Sequence, residues 1–339
     1  QVAEAIEQSS SWLSDERAEV LAYYYSESTE PTKALPDLIA AADTASGRCA
    51  YETAITHYRQ ALTLLPDQPT DDRDEYFRVR LGLGRALKFV GEFSVAGQLV
   101  SEALRHLWDW SQAAESEKLM PILIESLRQL ADIRQREGVF DQALTYLEAG
   151  LQLLGQKAAL EETELWRALL DRMAWIRFRQ GKLEQAFELA TAATVGQNPN
   201  DASDPIRLAS LYNTLGGVCW QQGQADQAIG HVENSLRLYE RVGYLWGKAV
   251  AYGNLGVLFF GLGNWPKAND YYEQAYCAQQ VIGNAEGQAV ALDNLGILRM
   301  AKGDYETAQR DLETGLAIRQ RLGDAWGTAQ SQVNLAQLA

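Results

Sequence analysis

The chain has 339 residues, 47% of them hydrophobic, and carries 30 Lys and Arg against 45 Asp and Glu, a net charge of −15. No apolar run approaches the roughly 18 residues that a membrane-crossing helix needs, and the acidic surplus argues against nonspecific binding to nucleic acid or to an anionic membrane, both of which require a basic footprint. Three scattered cysteines, Cys49, Cys219 and Cys277, make no disulfide frame. With no signal-peptide pattern at the N-terminus, they read as reduced thiols in a cytoplasm.

In chain order, residues 14–27 read as an amphipathic helix capped by Asp15, within an N-terminal helical segment 1–30. Residues 31–72 form a degenerate hairpin: a helix over 31–46, Cys49 at the turn, then Tyr51, Ala54, Tyr58 and Ala61 on the second helix. Over 73–204 a frame sets in. Gly91, Gly138, Gly181 and Gly223 take a turn position, and Ala96, Ala143, Ala186 and Ala228 each follow five residues later. The turn intervals are 47, 43 and 42 residues, so the extra length enters loops at 65–73, 110–118, 154–162 and 196–205, with Pro66 closing a second helix. Trp108 and Trp110 beside one of these loops are expected to staple neighbouring units.

Over 205–339 the period tightens. Thr214-Leu215-Gly216, Asn254-Leu255-Gly256, Asn294-Leu295-Gly296 and Asn334-Leu335-Ala336 begin 40 residues apart. A fixed period in this range marks units that bury their apolar faces only against their neighbours. Gly256 and Ala268 fall where the two helices of a unit cross, and a missing side chain there lets the axes approach within about 8–10 Å. Gly263 and Gly303 end first helices in the left-handed conformation, and Asn264 and Asp304 cap the second helices. About sixteen helices and no strand are expected.

Tyr252-x-x-Leu255-Gly256-x-x-Phe259, followed by Gly263, Ala268, Tyr272 and Ala275, resembles the tetratricopeptide repeat. The 40-residue interval, with Ile282-Gly283-Asn284, Leu322-Gly323-Asp324, Gly287 and Gly327, is similar to the long-helix variant of the Leu-Gly-Asn repeat scaffolds and kinesin light chains. The segments 16–25, 33–35 and 54–58 are similar to the region behind the nucleotide-binding module of bacterial STAND-type signalling ATPases. These resemblances imply an all-α fold, a right-handed α-α superhelical solenoid of about seven helix pairs with extra N-terminal helices and a truncated last repeat. A start at Gln1 and a stop within a first helix at Ala339 are expected of a piece of a longer protein, whose bare C-terminal face could self-associate.

In the family the concave groove is lined by the first helices. Counting from Leu83, Leu130 and Met173 places Arg78, Arg85, Lys88, Arg128, Arg136, Arg172 and Arg179 at groove positions. Residues 73–180 accordingly hold 15 Lys and Arg against 16 Asp and Glu, a near-neutral stretch in an acidic chain. Such a trough would clamp carboxylates of a peptide; as the bland alternative, Asp132 and Asp171 on the same face neutralise it. Further along, the groove positions turn apolar and polar: Asn213, Trp220, Val250, Asn254, Val257, Phe260, Asn294, Ile297, Met300 and Asn334. They suit an amphipathic acidic helix, or else they bury against the next unit.

Signs of chemistry are sparse. His57, His106 and His231 stand apart, with no His-Glu-x-x-His and no Cys-x-x-Cys. Gly243 to Lys248 lacks the Ser or Thr of a phosphate loop and reads as capping, Gly82-Leu83-Gly84 lies within a helix, and the carboxylates of Asp67 to Glu75 miss the calcium-loop spacing. No enzyme, cofactor or metal is expected. The implied function is a protein-interaction scaffold binding a peptide or partner domain, as the regulatory part of a signalling protein. The alternative is a ligand-sensing arm that controls an attached ATPase, cyclase or DNA-binding domain.

Overall fold

A computed structural model describes residues 20–21, 23–25, 31–48, 50–66, 73–111, 116–155, 163–322 and 324–338. The Asp15 cap, Cys49, Gly323, the loop Asp67 to Asp72 and the side chain of Trp110 lie outside the described residues, as does most of helix 14–27. Among the described residues every regular element is helical, and the chain divides into two compact units after residue 161.

After the helical residues 20–21 and 23–25, unit 1 has a short 3-10 turn, Pro31–Ala34, and continues through α1 (Leu35–Gly47), α2 (Tyr51–Leu64), α3 (Arg73–Val90), α4 (Phe93–Ser111), α5 (Ser116–Arg136) and α6 (Phe140–Gly155). Each helix packs on the next, and the first helices of successive pairs, α1, α3 and α5, also touch one another. Close approach is written into small residues. Gly82 of α3 lies against the ring of Tyr58 from α2, where a Cβ would strike the phenol. Tyr58 is buried and donates its hydroxyl to the Asp43 carboxylate of α1. Burial first, and then the Asp43 bond and charge, push the phenol well above its ordinary range. Trp108 is 42% exposed.

Unit 2 comprises α7 (Glu164–Arg179), α8 (Leu183–Thr194), α9 (Pro205–Gln221), α10 (Ala225–Val242), α11 (Leu245–Gly261), α12 (Trp265–Ile282), α13 (Ala285–Ala301), α14 (Tyr305–Leu322) and α15 (Ala325–Ala336). With the three pairs of unit 1, this makes seven hairpins and a half among the described residues, in line with the about seven pairs that the repeat frame predicts. The turn glycines adopt the expected conformation: Gly263 has φ +73° and Gly303 φ +81°. At these turns the Asn264 amide donates to the Phe259 carbonyl at 2.9 Å, closing the left-handed cap. The Asn264 carboxamide oxygen and the Asp304 carboxylate then accept from the third residues of the following helices, Lys267 and Thr307. Gly243 likewise ends α10 at φ +68°, a capping role rather than a phosphate loop.

A core cluster of unit 2 includes Val232, Leu255, Phe259, Tyr272 and Leu295, and a smaller one further along holds Ala289, Leu292 and Ile318. Gly216 meets Val232 and the Ala228 carbonyl, and Gly296 meets Leu312 and the Ala308 carbonyl. The Leu-Gly pairs therefore sit at the helix crossings, with the alanines of the facing helix opposite them.

Candidate functional site

In unit 1 the first helices carry a ladder of ion pairs. Arg78 binds the Asp43 carboxylate through Nε at 2.7 Å and also through Nη2. Arg128 grips Glu125 with two bonds, at 2.9 and 2.8 Å, and Arg85 of the preceding repeat reaches the same carboxylate at 3.4 Å. The Gln129 amide donates to it at 2.9 Å. Lys88 donates to Asp132 at 2.9 Å, with both side chains only 9% exposed. The cations on this face are thus largely spoken for by Asp43, Glu125 and Asp132. Arg136 differs: it is exposed, with no ion pair or hydrogen bond among the described residues.

Glu125 shows the balance of forces on this ladder. Burial pushes its carboxyl up, but Arg128, the Gln129 amide and Arg85 outweigh that and hold it below the usual carboxylate range. A lowered folded value means that the group stabilises the fold above its unfolded value and loses that contribution as pH falls through the folded one. Relative to Glu125→Gln, the wild-type chain should therefore be the more stable at pH 7, and the gap should close as pH drops below about 4.5. Paired urea titrations of the two proteins across that range check it.

In unit 2, Arg172 is half-buried and Arg179 is exposed beside Trp175, its guanidinium 5.9 Å from the ring centre. Asp171, on the same helix, accepts from the Ser210 hydroxyl at 3.0 Å. Downstream, the first helices α9, α11 and α13 contact one another in turn. Asn254 donates to the Asn213 carboxamide at 3.3 Å, joining two repeats. Asn294 is half-buried and its amide makes no hydrogen bond within the described residues. Asn334 is buried and accepts from Gln330 at 3.3 Å.

The apolar positions divide by depth. Trp220 is half-buried with its indole laid on Gly261 of the next repeat, and Phe260 packs on the core cluster. Val250, Ile297 and Met300 are half-buried, while Val257 is 41% exposed. The first helices α11 and α13 contact one another, and each keeps some of these apolar side chains partly exposed.

Sequence reasoning overlooked one buried pair. Asp293 and Arg319 meet at 2.8 Å with side chains 7% exposed; the Ser331 hydroxyl lies 3.2 Å from both Asp293 oxygens, and Arg319 donates to the Gly327 carbonyl at 2.7 Å. Asp293 stands two residues before Leu295, just as Asp171 stands two before Met173, so the repeat frame held the signal. Among the described residues no group of three or more His, Cys, Asp or Glu is placed to hold a metal ion, and no helix is long and apolar enough to cross a membrane.

No curated protein matches the sequence. Several solved structures match the fold. The Rap conjugation gene regulator of plasmid pLS20, in complex with its Phr peptide, superposes with a TM-score of 0.67 at 16% identity, over 94% of this chain and 79% of that one. A STAND signal-transduction ATPase with a tetratricopeptide repeat sensor, from Pyrococcus horikoshii, gives 0.56 at 15% identity over 99% of this chain, which spans 53% of that protein. BtubC from P. vanneervenii gives 0.55 at 20% identity, covering 67% of this chain and 91% of that one. Residues 207–279 match the tetratricopeptide repeat family model. The family match thus covers residues 207–279, and the helix pairs around that stretch share the fold of these solved structures.

Proposed function

We propose that the first-helix face of unit 2 binds a peptide segment of another protein, making the chain an interaction scaffold and the regulatory part of a larger signalling protein. The observation that carries this reading is the set of partly exposed apolar side chains on the contacting helices α11 and α13, where Val257 is 41% exposed and Val250, Ile297 and Met300 are half-buried. Contiguous apolar surface on a soluble fold marks a binding face. Asn294 of α13, its amide unengaged among the described residues, offers a donor and an acceptor to a guest backbone. Arg179 on α7 of the same unit favours acidic residues in the guest, so the segment is best described as acidic and amphipathic. Fold likeness to the Rap regulator, itself solved with a peptide, supports this reading.

A second reading, a sensor arm that controls an attached ATPase, draws on the likeness to the STAND protein and on the N-terminal resemblance. The two differ in the ligand. A peptide-array screen with the wild-type chain, set beside a small-molecule thermal-shift screen, separates them. Under the peptide reading, the Val257→Glu/Ile297→Glu double variant should weaken binding of array hits by more than about tenfold, with helical circular dichroism unchanged. Hits that bind the double variant as tightly as wild type would remove this face from the function.

A further inference from the structure

Glycine is costly inside a helix, and several glycines in the first helices of unit 2 offset that cost with a close contact. Gly216, Gly217, Gly256, Gly261 and Gly296 each have a neighbouring side-chain atom within 3 Å of where a Cβ would stand. Gly253, in the middle of α11, has nothing within 4 Å of that point, yet it is half-buried. We infer that the space over Gly253 is the anchor point of the peptide face, where one neutral aliphatic side chain of the bound segment is received.

Three observations support this assignment. First, the repeat frame puts a side chain at the same position elsewhere in unit 2. Asp171, Asn213 and Asp293 stand two residues before Met173, Leu215 and Leu295, and each accepts from a side chain of the next repeat: Ser210 at 3.0 Å, Asn254 at 3.3 Å and Ser331 at 3.2 Å. Gly253 stands two residues before Leu255, and the contact its counterparts make is missing there. Second, apolar side chains flank the space. Val250 lies one turn before Gly253 and Val257 one turn after it on the same face of α11, the first half-buried and the second 41% exposed. Third, α9 and α11 are almost uncharged in a chain of net charge −15. Each carries one charged residue: Arg207, paired with Glu164 at 3.0 Å, and Lys248, five positions before Gly253 and so on another side of α11.

A charged guest residue would give up its hydration at this point without gaining a partner, whereas Leu, Ile or Met gains by leaving water. The anchor presupposes the peptide reading above and names the point of the face on which affinity turns.

The test uses the full chain and the peptide it binds most tightly on the array, remade with each apolar residue replaced in turn by alanine. Gly253→Ala adds one methyl to open space, so it should raise the melting temperature while weakening the peptide by about threefold. Gly253→Leu occupies the space from within and should weaken it by about tenfold or more. One alanine replacement in the peptide should cost wild type about tenfold and Gly253→Leu less than about twofold, because the anchor no longer has a place to go. Gly230→Leu, the same change at an open glycine of the second helix α10, should bind as wild type does. If Gly253→Ala and Gly253→Leu keep full affinity for a peptide that Val257→Glu/Ile297→Glu has lost, the anchor is overturned and the peptide reading stands; a peptide that all three variants bind fully removes both. Equal costs of every alanine replacement in wild type and Gly253→Leu would also overturn the anchor. Where the leucine variant does not fold, Gly253→Ala decides: a melting temperature below wild type, or unchanged affinity, counts against the anchor.

Discussion

Asp293→Ala should lower the unfolding free energy by about 3–5 kcal/mol, the largest single effect we expect in the molecule. The substitution leaves Arg319 buried with only the Gly327 carbonyl as partner and strips the Ser331 hydroxyl of its acceptor. It would loosen α13, α14 and α15 together, because the three side chains come one from each helix. The pair itself is no strong source of net stability. Burial raises the Asp293 carboxyl above its ordinary value, and Arg319 and Ser331 only partly offset this. With a raised folded value, the favourable contribution is present below the unfolded value and is lost as pH rises through the folded one, so at neutral pH the buried charge is a cost. Replacing both members by apolar residues, Asp293→Leu with Arg319→Met, should therefore recover most of the loss. Urea unfolding of the single and double variants, with hydrogen exchange over α13 to α15, checks both halves. A single variant as stable as wild type would show that the pair is not buried as described.

Gly216→Ala should destabilise by about 1–3 kcal/mol, against the intrinsic preference of a helix for alanine. A Cβ at Gly216 would lie 2.5 Å from Val232 Cγ2 and 3.2 Å from the Ala228 carbonyl oxygen. Val232 is short, branched and 1% exposed, so neither obstacle can swing away, and the helices themselves must separate. Gly230, on the facing helix α10, is the control: a Cβ there meets nothing within 4 Å. Gly230→Ala should stabilise by about 0.5–1 kcal/mol, because only the helix propensity changes. Opposite signs for one chemical change on two helices of the same hairpin are the signature of a crossing point, and thermal melts of the two variants suffice to see it.

How much of this was legible beforehand follows from the range of each interaction. The Gly263 turn, the Asn264 cap and the Gly216 crossing could be placed because the backbone conformation at a turn and an i to i+3 cap depend on neighbours in the chain. The crossing required only the repeat period in addition. The state of the groove was not legible in this way. Arg78 occupies a groove position as expected, yet its partner Asp43 lies 35 residues earlier; Lys88 finds Asp132 44 residues later, and Trp220 finds Gly261 41 residues later. Counting along one helix cannot show which opposite charge, or which bare backbone, another helix brings.

By itself, then, the sequence determined the helix pairs, their turns and caps and the small residues at their crossings, because those depend on backbone torsions and on a strict period. Only the tertiary structure decided which groove residues are engaged. It neutralised most of the unit 1 cations, pressed Trp220 onto a neighbour, buried Asp293 with Arg319 and left Val257 exposed. Side-chain pairing between repeats depends on rotamers and distances that exist only once the helices are stacked.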